Sequence, residues 1–163
     1  MRFLLLSFLL CNYCFSQQDI TDITTVVEKW HSAAANADFD TYFNSMTEDA
    51  IFIGTDATEN WKNDEFKAFC KPYFDKGKAW SFSTLDRNIY VKDKAKLAWF
   101  DELLDTQMGI CRGSGVLEKT TVGWKIKHYV LSIAIPNENV KEITELKKEF
   151  DTNLIEKLKA HQK

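Results

Sequence analysis

Asp101 and His128 are the two side chains in this sequence best suited to acid–base chemistry. A carboxylate and an imidazole facing one apolar space could pass a proton to and from a bound molecule, and burial would raise the aspartate's pKa toward that task. Gly113 and Gly115 add no side chains beside them, so a hollow can remain between the pair. Two polar groups in an aromatic cavity are the usual form of a small-molecule site. The expected lining is Trp30, Tyr42, Trp61, Phe69, Trp80, Trp99, Leu103, Gly113, Gly115, Leu117 and Ile126. Structural roles compete for the same residues. Arg87 would pair with Asp101 if the turn between their strands has three residues, and His128 can bond a backbone carbonyl. The glycines can mark a bulge or a bend.

Other chemistry-bearing residues carry less. His31 sits beside Trp30 on a helical stripe and suits packing, while His161 lies in a lysine-rich tail and suits solvent. Arg112-Gly113-Ser114-Gly115 has the glycines of a phosphate loop, but it lies within a strand and lacks both the lysine and the following helix. Asp56, Glu59 and Trp61 follow the first strand, where they can rim a cavity mouth or form a turn cluster. No spacing of His, Cys and carboxylates suggests a metal, and no cofactor motif or Ser-His-Asp arrangement is visible.

These residues must be positioned by helices followed by strands. Ile20, Ile23, Val27, Trp30, Ala34 and Ala37 recur at helical spacing. Asp38 offers an N-cap to a short second helix carrying Phe39, Tyr42, Phe43 and Met46. Residues 50–53 form a brief strand. Asn63, Asp64 and Glu65 open a third helix with Phe66, Phe69 and Tyr73 as its buried stripe, a kink at Pro72 and a stop at Gly77. Then come four strands at 80–91, 97–107, 111–119 and 124–135, separated by turns at Lys92-Asp93-Lys94, Met108-Gly109 and Val122-Gly123. Such short links make the strands antiparallel neighbours. A last helix over 138–160 sets Val140, Ile143, Leu146, Phe150, Leu154 and Leu158 against lysines and glutamates.

A turn centred on Gly109 sets Asp101 opposite Leu117, and a four-residue loop before Trp124 sets Leu117 opposite Ile126 and Gly115 opposite His128. Strand alternation then turns Trp99, Asp101, Leu103, Leu117, Trp124, Ile126 and His128 to one face. A slip of one residue in either hairpin would reverse that assignment.

The amino terminus reads as an address. Arg2, the apolar run from Phe3 to Leu10 and small residues at Cys14 and Ser16 form a secretory signal peptide over residues 1–16, too short to span a bilayer. Leu10 and Tyr13 are too bulky to precede a lipidated cysteine. Cleavage leaves residues 17–163 as one domain, secreted or periplasmic and free of the membrane. The mature part holds 24 acidic against 20 basic residues, so no basic stripe invites nucleic acid. Cys70 and Cys111 survive cleavage; export permits a bond between them, but two cysteines do not make a disulfide scaffold.

Several segments in this order resemble the SnoaL-like, or nuclear transport factor 2-like, superfamily. They are Asp49-Ala50-Ile51-Phe52-Ile53-Gly54-Thr55-Asp56, Glu65-Phe66-Lys67-Ala68-Phe69, Ala98-Trp99-Phe100-Asp101-Glu102, Cys111-Arg112-Gly113-Ser114-Gly115-Val116-Leu117 and Gly123-Trp124-Lys125-Ile126-Lys127-His128-Tyr129. The resemblance implies an α+β fold, with three N-terminal helices on a strongly curved antiparallel sheet, and here an added C-terminal helix. It also implies a cavity between helices and sheet and a homodimer through the outer sheet surface. Members include isomerases, cyclases, dehydratases and purely associative domains, so fold leaves function open. Ketosteroid-isomerase-like members carry a base aspartate at the end of the first strand, where this chain has Gly54, with Asp56 two residues on.

The expected function is an exported protein that binds a small apolar or amphipathic molecule, with isomerase or lyase chemistry through Asp101 and His128 as one form of it. The alternative is a non-catalytic association module using the C-terminal helix.

Overall fold

The computed structural model describes residues 3–92 and 96–161, with side chains from Gln17 onward. The leader expected over 1–16 lies outside the described side chains, and most of the turn at Lys92-Asp93-Lys94 lies outside the described residues. The chain divides into a unit Met1–Ile133 and a unit Ala134–Lys163.

In the first unit, helix α1 (Phe3–Ala35) buries Ile23, Val27, Trp30 and Ala34, four of the expected stripe residues. It ends on Ala37, whose φ of 53° is left-handed, with Asp38 N–H donating to the Ala33 carbonyl at 2.8 Å. That reversal sets Asp38 as N-cap of α2 (Phe39–Asn44), where its carboxylate accepts from Thr41 N–H at 3.0 Å. Met46, expected on that helix, opens strand β1 (Met46–Ile53) instead. The short strand β2 (Asn60–Lys62) returns antiparallel to β1 and leads into α3 (Asn63–Asp75). There the Glu65 carboxylate reaches back to Lys62 N–H at 3.0 Å, and α3 runs through Pro72 to a left-handed Gly77. Its buried stripe is Asn63, Phe66, Cys70 and Phe74, so Phe69 and Tyr73 lie at its edge.

Strands β3 (Phe82–Val91), β4 (Leu97–Thr106), β5 (Gly109–Thr120) and β6 (Gly123–Ile133) form the expected antiparallel meander. The full sheet has the order β2-β1-β6-β5-β4-β3, with β1 parallel to β6. Helix α1 packs on β3 and β6, and α3 on β1 and β2. The α+β architecture is therefore the one the sequence predicts.

Register departs from expectation in two places. The β4–β5 hairpin closes tightly, with Thr106 opposite Gly109, so Asp101 faces Ser114 and not Leu117. That shift of three positions is odd and turns β4 over: Ala98, Phe100, Glu102 and Leu104 are buried. In β5–β6, Leu117 does face Ile126, but a bulge follows, and Gly115 meets Tyr129 where His128 was expected. The inner face thus carries Phe100, Glu102, Leu117, Trp124, Ile126, Tyr129 and Leu131.

The second unit begins with a 3-10 turn (Asn137–Asn139) and continues as α4 (Val140–Ala160), two residues later than expected.

Candidate functional site

The inner face holds a charged cluster and, separately, an open cavity. Glu102 on β4 is 1 % exposed and is fully engaged. Its Oε1 accepts from His31 Nε2 at 2.9 Å and from the Tyr129 hydroxyl at 2.8 Å. Its Oε2 accepts from Arg87 Nε at 3.0 Å and Nη2 at 2.8 Å. Burial pushes the Glu102 carboxyl up, but His31 and Arg87 outweigh it and hold the group below its ordinary value. Burial and the adjacent carboxylate push the Tyr129 hydroxyl well up. Gly113 makes the arrangement possible, since a Cβ there would lie 2.2 Å from the Tyr129 hydroxyl and 2.9 Å from Glu102 Oε1.

The cavity lies between α3, the end of β1 and the loop after it, the start of β3, the turn joining β4 to β5, and Leu131 on β6. It has a volume of about 250 Å³. Phe52, Phe66, Phe69, Tyr73, Trp80, Phe82, Met108 and Leu131 supply apolar wall, and Gly54, Thr55, Glu59 and Gln107 form the polar part. The rings brace one another: Phe52 stacks on Phe66 at 4.0 Å, and Phe69 stacks on Trp61 at 5.0 Å. The loop after β1 is pinned by Gly54 N–H to the Glu59 carbonyl at 3.1 Å and Glu59 N–H to the Asp56 carbonyl at 3.0 Å. Asp56 is a turn residue, accepting from Thr58 N–H at 2.8 Å, which lowers its carboxyl pKa. Among the described residues, no three His, Cys, Asp or Glu side chains converge as metal ligands.

A family model for the SnoaL-like domain matches residues 23–136. The chain belongs to the SnoaL-like family. Solved structures agree on the fold. A nuclear transport factor 2-like family protein from Streptomyces avermitilis superposes with a TM-score of 0.65 at 13 % identity, covering 74 % of this chain and 99 % of the other. A cystatin-like-fold domain from Nostoc punctiforme gives 0.63 at 18 % identity, covering 88 % and 98 %. A nuclear transport factor 2-like protein from Cytophaga hutchinsonii gives 0.59 at 17 % identity, covering 72 % and 98 %. No curated protein matches the sequence.

In this SnoaL-like domain the residues singled out from sequence separate into three places. Phe69 and Trp80 line the cavity, and Trp61 backs it through Phe69. Trp30, Tyr42, Leu117 and Ile126 are packed in the core beside it. Asp101, His128, Trp99 and Leu103 occupy the other side of the sheet, a correction that follows from the two register shifts. Asp101 accepts from Asn88 Nδ2 at 3.2 Å, and Trp99 stacks on Tyr90 at 5.7 Å. Gly113 and Gly115 do face inward, but their space is filled by Tyr129 and Phe100, so they are no pocket floor. Arg87 makes its ion pair with Glu102, one residue along from the Asp101 expected. Cys70 and Cys111 are both free and buried, and burial pushes the Cys70 thiol up. His31, expected to pack, does so while holding Glu102. Sequence reasoning missed Glu102 and Tyr129, and the signal for both lay in the turn that sets β4 against β5.

Proposed function

We propose that this SnoaL-like chain is an exported domain that binds a small apolar or amphipathic molecule in the aromatic cavity. The observation that carries it is a contrast in packing. The inner face is filled and hydrogen-bonded around Glu102, whereas about 250 Å³ beside α3 is walled by rings and left open. Well-packed interiors seldom keep such a space without a use. The charged start and apolar run of residues 1–16 support export. No proton transfer is assigned to Asp101 or His128, because groups on the outer side cannot reach a molecule inside.

The test is Leu131→Trp, which puts an indole into the cavity. Wild-type protein should change its tryptophan fluorescence on titration with tert-butylbenzene, and native mass spectrometry should show any molecule retained through purification. The variant should fold with an unchanged circular dichroism spectrum and lose the titration. Equal binding by a folded variant would refute the cavity as the site.

A second reading has its own observation. On the outer sheet face Tyr90 and Trp99 are 43 % and 47 % exposed and stacked, beside the exposed Leu97. That patch suits a homodimer formed sheet to sheet. Light scattering should then show a dimer that Trp99→Glu converts to monomer. A dimer lost only on removing residues 138–163 would assign association to the C-terminal helix.

A further inference from the structure

The cavity's charge pattern says more than that it is apolar. Among the described lining residues six carry aromatic rings, and Glu59 is the one carboxylate. None of the described lining residues is Lys, Arg or His. The glutamate is held where it is by the loop. Its Oε2 accepts from Asp56 N–H at 3.2 Å, and its backbone bonds to Gly54 and Asp56 on both sides. The carboxylate lies directly over Gly54, where an added Cβ would stand 2.0 Å from Oε2 and 2.9 Å from Cδ. Glycine at the end of β1 therefore clears the space into which a residue five positions later brings its negative charge.

Aromatic faces are electron-rich and attract cations, most strongly where water is thin. A ring-walled cavity with one anionic group and no cationic one is matched to a positive ligand and mismatched to a carboxylate or phosphate. We infer that the cavity is selective for a small organic cation, an amine or quaternary ammonium on an apolar body, with Glu59 as its counter-ion. This rests on the proposed function, since it names the class of molecule that the same cavity takes.

Two probes of nearly identical shape separate the charge from the apolar body: phenyltrimethylammonium and tert-butylbenzene. Titrated into the purified full chain, the cation should bind at least about ten-fold more tightly than the hydrocarbon. Glu59→Gln should weaken the cation far more than tert-butylbenzene and so remove most of that advantage, while an unchanged circular dichroism spectrum certifies the fold. Gly54→Ala keeps the charge but pushes the flexible carboxylate aside, and should weaken the cation more than the hydrocarbon. Equal affinity for both probes, or a Glu59→Gln variant that keeps the preference, would overturn the cation assignment while leaving the cavity as a small-molecule site. Binding of neither probe would overturn both.

Discussion

Beneath α1, the inner face of the sheet is closed by charge; beside α3, the same face is left open by rings. In the first region Glu102 accepts four hydrogen bonds from His31, Tyr129 and Arg87, and a glycine gives them room. In the second, aromatic side chains lean on one another and still leave about 250 Å³ between them. Both regions put unusual groups inside a domain, yet their physical meaning differs. A buried carboxylate with every partner in place has no capacity left for a ligand, so it specifies the fold. An aromatic hollow has unspent contact surface, so it can accept one. Perturbed titration often marks functional sites, but here the lowered Glu102 carboxyl and the raised Tyr129 hydroxyl belong to the structural region.

The comparison can be broken most decisively at its charged end. Glu102→Gln leaves the buried Arg87 only the exposed Glu28 carboxylate at 3.9 Å, and should cost roughly 3–5 kcal/mol in urea unfolding at pH 7, the range for opening a buried ion pair. A loss below about 1 kcal/mol would mean that the cluster does not hold the region together. Gly113→Ala should cost about 1–3 kcal/mol in the same assay, because its new methyl group would collide with the Tyr129 hydroxyl. Acid separates the two ends as well. The Glu102 carboxyl is held below its ordinary value, so its contribution is complete above about pH 4.3 and disappears as pH falls through the lower folded value. Urea midpoints measured from pH 6 down to pH 2.5 should fall more steeply for wild type than for Glu102→Gln. The smallest effect belongs to the open end. Phe69 is 37 % exposed, and Phe69→Ala should cost about 1 kcal/mol or less, against about 3–5 kcal/mol for a fully buried phenylalanine. A loss at Phe69 as large as that would show that the cavity wall is core after all.

Helices and strands were legible because their signals are local. The Ile23-Val27-Trp30-Ala34 stripe, the Asp38 cap and the four β segments all appear where residue spacing puts them. The site was harder because it depends on register, and one odd slip exchanges the two faces of a strand. Asp101 and Glu102 are neighbours, and the turn alone decides which is buried. That turn has a readable mark. Thr106-Gln107-Met108-Gly109 and Thr120-Thr121-Val122-Gly123 share one pattern, in which the threonine hydroxyl donates to the glycine carbonyl at 2.9 Å and 2.7 Å and each glycine has positive φ. Treating both hairpins alike would have set Asp101 against Ser114 and sent Glu102 inward. The bulge before His128 has no comparable mark, and neither does three-residue β2, which is too short for periodicity. The distance between Gly54 and Glu59 was equally invisible, since it arises from how one loop folds back.

The parallel pairing of β1 with β6 has a consequence for assembly. Strand β1 finds β2 close by in the chain, but its other edge is paired only when β6, the last strand of the unit, arrives. Such distant closure makes for slow, late consolidation, and until then that edge of β1 presents unmatched backbone to any passing chain.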